Sequence, residues 1–135
     1  MFNLVLTVLF AVLLCGCGPM RADELSPSVD TLAFSAADGE LLARDVARDR
    51  TKTTFARAHA RELGEAVDHE AEKLNDAEPA AQVGNEKAEA SALADEISTA
   101  LGQLQASPGD EQAARKTQAQ LSKLAERADR LAGTL

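Results

Sequence analysis

Two cysteines near the N-terminus are the residues of this chain whose types and spacing indicate the most specific chemistry. Cys15 and Cys17 stand one residue apart, and the sequence contains no other cysteine. A disulfide between them would close a very tight loop. A metal site would need further thiolate or imidazole ligands, and no histidine lies near them in the sequence. The third interpretation is that one of the two sulfurs is covalently modified.

The residues around the cysteines favour covalent modification. The apolar run from Phe2 to Leu14 is shorter than the ~20 residues that a membrane-spanning helix needs, and it is typical of the hydrophobic region of a secretory signal. Leu14-Cys15-Gly16-Cys17 then resembles a bacterial lipobox, the stretch at which lipoprotein signal peptides are cut and a cysteine is acylated. The resemblance implies that residues 1–16 are removed and that lipidated Cys17 anchors the protein to a membrane. An ordinary cleaved signal and an uncleaved short anchor are the alternatives.

The resemblance covers about the first eighteen residues and implies processing, not an activity. Two features depart from the usual pattern. Cys15 occupies a position usually held by Ala, Ser, Thr or Val, and the first three residues include no Lys or Arg. Lipidation implies a location in the bacterial cell envelope, anchored to a membrane and facing the periplasm or the exterior.

Both histidines lie in one predicted helix, and each has a glutamate three residues later. His59 precedes Glu62 and His69 precedes Glu72, a spacing that brings imidazole and carboxylate to one side of a helix. These four residues are the candidate ligand-binding site. His59 faces the apolar side of the helix, where a packed histidine bonded to a neighbour is the alternative; His69 faces the charged side, where we expect it to be solvated. Di-iron bundles need Glu-x-x-His on two helices, so we expect no ferritin-like metal centre and no cofactor.

The charges are unevenly distributed along an acidic chain of net charge −8. Such a surface disfavours nucleic acid as a partner, because binding a polyanion needs clustered cations. One stretch, residues 44–61, nevertheless holds six basic residues against two acidic ones. We call these six the basic tip: Arg44, Arg48, Arg50, Lys52, Arg57 and Arg61. They are a candidate contact for lipid headgroups or an anionic wall polymer. The alternative is pairing with the chain's own acids or a solvated surface.

Four helices are expected to position these groups. Apolar residues recur at steps of three and four over about 29–48, 54–75 and 86–105, and again from Ser107 to the C-terminus. Phe34, Leu41 and Leu42 widen the apolar stripe of the first helix, and Phe55 is placed on the apolar arc of the second. Ser107 is the predicted N-cap of the fourth helix. Because the connections are short, the helices should pack as an antiparallel up-down bundle, rich in Ala and with few large core residues.

The sequence contains none of the motifs that indicate catalysis. It has no nucleophile elbow, no glycine-rich phosphate loop and no His-Glu-x-x-His, and we expect no enzyme activity. The predicted organisation is a signal peptide at 1–16, lipidated Cys17 with a tether to 28, and a helical bundle at 29–135. The leading function is a non-catalytic envelope module that acts by contact with an envelope protein, by self-association or as a spacer. The alternative is a small ligand- or metal-binding lipoprotein that uses the two histidines.

Overall fold

The described part of the chain, residues 18–135, forms four α-helices in the computed structural model. The helices are α1 (Ala22–Ala47), α2 (Thr53–Asp76), α3 (Gly84–Ala106) and α4 (Glu111–Ala132), with a single 3-10 turn at Ala81–Val83 before α3. Within residues 18–135, extended pairing is limited to one isolated bridge. The predicted all-α bundle is confirmed.

The helices pack as a ring in chain order. α1 packs most extensively against α4, and α2 against α3; contacts of α1 with α2 and of α3 with α4 close the ring, while α1 also touches α3 across it. Short connections make successive helices antiparallel. α1 has 26 residues, so the bundle is about 39 Å long at ~1.5 Å per residue. One end, the tip end, holds the α1–α2 and α3–α4 connections; the other, the base, holds the α2–α3 connection and both ends of the described chain.

On α1, α3 and α4 the buried residues follow the main predicted stripe, although Phe34 and Leu41 of α1 are exposed. On α2 the buried row is rotated around the helix relative to the prediction. The predicted seam of α3 is buried throughout, at Ala90, Leu93, Ile97, Ala100 and Leu104. On α2 the buried row is Ala56, Ala60, Leu63, Val67, Glu70 and Leu74. Phe55 and Ala66, predicted on the apolar arc, are exposed instead. The small side chains of Ala56 and Ala60 occupy the inner side of the helix and leave the phenyl ring outside.

α1 begins at Ala22, inside the segment 17–28 that was expected to be a tether. The stretch Ser26-Pro27-Ser28 indicated a break, yet Pro27 lies within the helix. The first turn is stabilised by Glu24, whose carboxylate accepts a hydrogen bond of 3.2 Å from the backbone N–H of Arg21. Leu25 and Val29 are fully buried. Burial of this face therefore outweighs the backbone hydrogen bond that proline removes.

α4 is capped three residues later than predicted. Asp110, not Ser107, is the N-cap, and its Oδ1 accepts a hydrogen bond of 2.9 Å from the backbone N–H of Ala113. Ser107 instead contributes its backbone carbonyl, which accepts from the N–H of Asp110 at 3.2 Å. The intervening residues form a turn in which Pro108 is buried. Because Asp and Ser both cap helices well, the side-chain types alone could not show which of the two residues is the N-cap. The backbone turn from Ser107 to Asp110 decides it.

Candidate functional site

His59 links α2 to α1. Its Nε2 lies 3.0 Å from Oδ2 of Asp38 on α1, and its Nδ1 lies 3.8 Å from Oε2 of Glu62. The imidazole also stacks on the ring of Phe55, with centroids 5.5 Å apart and planes inclined by 20°. The predicted pairing of His59 with Glu62 is present at the longer distance, while the shorter contact is to Asp38. Sequence spacing could not reveal Asp38, because it lies on another helix.

His69 and Glu72 do not join His59. Both are exposed on α2, and they lie about three turns further along the helix toward the base. Over residues 18–135, no group of three or more His, Cys, Asp and Glu side chains is arranged to hold a metal ion. Of the four candidate ligand-binding residues, His59 contacts Asp38 of α1 and lies near Glu62, whereas His69 and Glu72 are exposed elsewhere on α2.

Three large apolar side chains are exposed around the Asp38–His59 contact. Phe34 is 67% exposed, Leu41 44% and Phe55 57%. On α1, Phe34 lies one turn before Asp38 and Leu41 one turn after it, while Phe55 stacks on His59. The Asp38–His59 contact therefore brings the three together on the outer side of α1 and α2. We call these three residues the apolar face.

The apolar face is unusual for this protein because it contains every aromatic residue after position 10. The chain has four phenylalanines and no Trp or Tyr, and only Phe34 and Phe55 belong to the described residues. Aromatic side chains are the largest available for a core, yet both stand in solvent. The apolar spacing predicts both rings in the core stripes of their helices, and this prediction is wrong. The seven-residue step from Phe34 to Leu41, outside the main stripe, was the available signal for a second apolar side.

The basic tip lies at the tip end of the bundle, beside the apolar face. Arg61 pairs with Glu65 at 3.6 Å. For the other five basic residues, the described part of the chain provides no ion pair. Arg50 and Lys52 border an open surface hollow together with Asp49 and three threonines. Asp49 takes a left-handed conformation, φ 52°, which ends α1 and turns the chain. The Arg61–Glu65 pair lies within α2, so in the described part of the chain no residue of the basic tip pairs with an acid of another helix.

A carboxylate of α2, that of Glu70, is buried near the base and faces Ser28 of α1. Glu70 is 8% exposed and accepts a hydrogen bond of 2.8 Å from Lys73. Burial acts to raise the pKa of Glu70, but the Lys73 hydrogen bond, the nearby Ser28 hydroxyl and the charges of Lys73 and His69 outweigh it and hold the pKa below its usual value. Ser28 Oγ itself lies outside hydrogen-bond geometry, and no partner for it occurs among the described residues.

Met20, near the start of the described residues, is hydrogen-bonded to the α2–α3 connection at the base of the bundle. The backbone N–H of Met20 donates to the carbonyl of Glu78 at 2.7 Å, and its carbonyl accepts from the N–H of Ala80 at 2.9 Å. The side chain of Met20 is 9% exposed and joins the core. Cys17 and the predicted signal peptide lie outside the described residues. In residues 18–135 there is no helix with the length and hydropathy needed to cross a membrane.

Together these features define a small Ala- and Leu-rich four-helix bundle with one exposed apolar face and a basic tip. No protein-family model, curated protein or solved structure matches the chain.

Proposed function

We propose that the protein is a lipid-anchored component of the bacterial cell envelope that acts through protein contact or as a spacer and carries out no catalysis. The observation that carries this proposal is the sequence Leu14-Cys15-Gly16-Cys17 at the end of an apolar run. Lipid attached to Cys17 would hold the bundle to a membrane facing the periplasm or the exterior.

The lipid would supply the membrane affinity by itself. Each buried methylene contributes ~0.8 kcal/mol, and two or more acyl chains on one residue give stable anchoring where one does not. Only residues 18 and 19 separate Cys17 from Met20, which is bonded to the α2–α3 connection. An extended residue spans about 3.5 Å, so the base of the bundle would be held within roughly 10 Å of the anchor. Such a short connection supports a role in which the bundle has a restricted position at a surface.

A contact role is supported by the side chains that the bundle exposes. The apolar face and the unpaired cations of the basic tip occupy one side and one end of a single structural unit. Large apolar side chains that cluster on a surface and are bordered by charged residues are typical of protein interaction sites. By contrast, the candidate site on α2 combines one interhelical contact, at His59, with one solvated histidine, at His69.

The experiment that tests the anchor is mass analysis of the N-terminal peptide. The full chain would be expressed in a bacterial host and isolated from the membrane fraction, beside Cys17→Ser. We expect the wild-type peptide to begin at Cys17 with acyl additions, and Cys17→Ser to lack both the cut and the acyl mass. Cys15→Ser is the matched control and should be processed as the wild type is. An unlipidated wild-type N-terminus would reject the proposal.

A further inference from the structure

The outer side of α1 carries a pattern of charged and apolar residues that is complementary to itself. At 3.6 residues per turn, Asp30, Ala37, Leu41 and Arg48 fall within an arc of about 40° on the side opposite the core. All four are exposed. An acid stands at one end of this row, a base at the other, and apolar residues lie between them. Phe34 and Arg44 flank the row.

We propose that the apolar face binds a second copy of this chain. The two α1 helices are antiparallel in this pair, and the two-fold axis that relates them crosses at the height of residue 39 along the helix. A two-fold contact pairs residue i with residue j and residue j with residue i. In this register Asp30 faces Arg48 of the second copy, and Ala37 faces Leu41 of the second copy. Both ends of the contact are then oppositely charged, and its centre is apolar.

Charge decides between this arrangement and a parallel one. In a parallel pair Asp30 would face Asp30 of the other copy and Arg48 would face Arg48, and like charges brought together across an interface are unfavourable. In the structure neither Asp30 nor Arg48 makes an ion pair with another described residue. Both are thus available to a second copy.

The remaining apolar residues extend the contact beyond α1. Arg44 of the second copy lies at the same height along the pair as Phe34, on the other edge of the contact, and its long side chain can extend across to pack its methylenes and guanidinium on the aromatic ring. Phe55 widens the face toward α2, where its stacking on His59 holds the ring in place. Burial of these rings removes apolar surface from water and so stabilises the pair.

The dimer does not depend on a lipid at Cys17, and either proposal can fail without the other. One consequence does rest on the proposed anchor. The two base ends would lie at opposite ends of the pair, so a dimer anchored at both would lie along a membrane surface.

The test uses the full chain in detergent at low salt, with most micelles empty, and measures the dimer dissociation constant by sedimentation equilibrium. Phe34→Ser and Leu41→Ser should each weaken the dimer by about tenfold or more, as expected for apolar residues at the centre of an interface. Both residues are exposed, so circular dichroism should show unchanged folding. A wild type that stays monomeric at about 100 μM, a concentration at which even weak contacts of roughly −5 kcal/mol become detectable, would overturn the proposal. So would a dimer that neither substitution affects.

A charge exchange tests the antiparallel register. Asp30→Arg and Arg48→Asp should each weaken the dimer by about tenfold or more, because each places two like-charge pairs in the contact. The double variant Asp30→Arg/Arg48→Asp restores opposite charges and should bring the dissociation constant back to within about threefold of wild type. Within one chain the two residues are eighteen positions apart on a helix, about 27 Å, so rescue has to come from a second copy. Lys123→Asp on α4 makes the same charge change as Arg48→Asp and should leave the dimer intact. Failure of the double variant to rescue would overturn the register.

Discussion

Gly39 on α1 and Leu101 on α3 are in such close contact that a Cβ built at Gly39 would lie 2.7 Å from Cδ2 of Leu101. The same Cβ would lie 3.1 Å from Cδ1 of Leu121 on α4. Both leucines are at most 1% exposed, so neither has free space into which to turn. The absence of a side chain at this position is what allows α1 to approach α3 across the ring and α4 beside it.

Gly39→Ala should therefore fail to give the stabilisation that alanine normally brings to a helix. Alanine is favoured over glycine in a helix interior by about 1 kcal/mol, but overpacking of a core costs roughly 1–3 kcal/mol. We expect a net loss of about 1 kcal/mol in the free energy of unfolding, measured by urea denaturation. Gly64→Ala is the matched control, because a Cβ there meets nothing within 4 Å, and it should gain up to about 1 kcal/mol. Equal gains in both variants would contradict the close contact.

Asp110→Ala should destabilise the bundle, whereas Ser107→Ala should not. The carboxylate of Asp110 satisfies the N–H of Ala113 and sits at the N-terminus of α4, where negative charge is favourable. Loss of an N-cap costs about 1 kcal/mol, and we expect that loss in urea denaturation at neutral pH. Ser107 contributes only a backbone carbonyl to this turn, which alanine keeps. A larger effect at Ser107 than at Asp110 would show that the cap lies where the sequence pattern placed it.

The sequence predicted the number of helices, their order and most of the core because steps of three and four persist through α3 and α4. It could not show that Phe34, Leu41 and Phe55 are exposed, because hydrophobicity alone does not distinguish a core residue from an apolar residue on the surface. Which side of a helix is buried depends on which helices are its neighbours. On α2 the side that carries Ala56, Ala60 and Leu63 faces the core. Asp38 was missed for the same reason: its partner His59 is far away in the sequence and near only once α1 and α2 pack.

Arg127→Met should destabilise the bundle more than Arg130→Met. Arg127 on α4 donates to Glu89 at 2.8 Å and to Glu96 at 2.9 Å, both on α3, and these contacts raise the pKa of its guanidinium further. Arg130 faces Glu126 on its own helix at 3.9 Å. Exposed ion pairs within a helix contribute about 0.3–0.5 kcal/mol at most, while a guanidinium bridging two carboxylates of another helix forms a network. We expect thermal denaturation at low salt to show a lower Tm for Arg127→Met, and 1 M salt to reduce the difference.

Glu70 should make stability fall in acid. Its pKa in the folded protein is below the ordinary value of 4.5 because the Lys73 hydrogen bond and the neighbouring Ser28 hydroxyl outweigh burial. A lowered pKa means that the ionised form favours the folded state, so this stabilisation is complete above about pH 4.5 and is lost as the pH falls through the lower, folded-state pKa. Glu70→Gln should thus be less stable than wild type at pH 7, by on the order of 1 kcal/mol. The difference should shrink toward zero near pH 3, as followed by urea denaturation across the pH range. Glu72→Gln, an exposed change on the same helix, is the matched control and should leave the free energy of unfolding at pH 7 within about 0.5 kcal/mol of wild type. If the Glu70→Gln and wild-type stability curves ran parallel across the pH range, the Glu70–Lys73 contact would have no part in the acid sensitivity of the bundle.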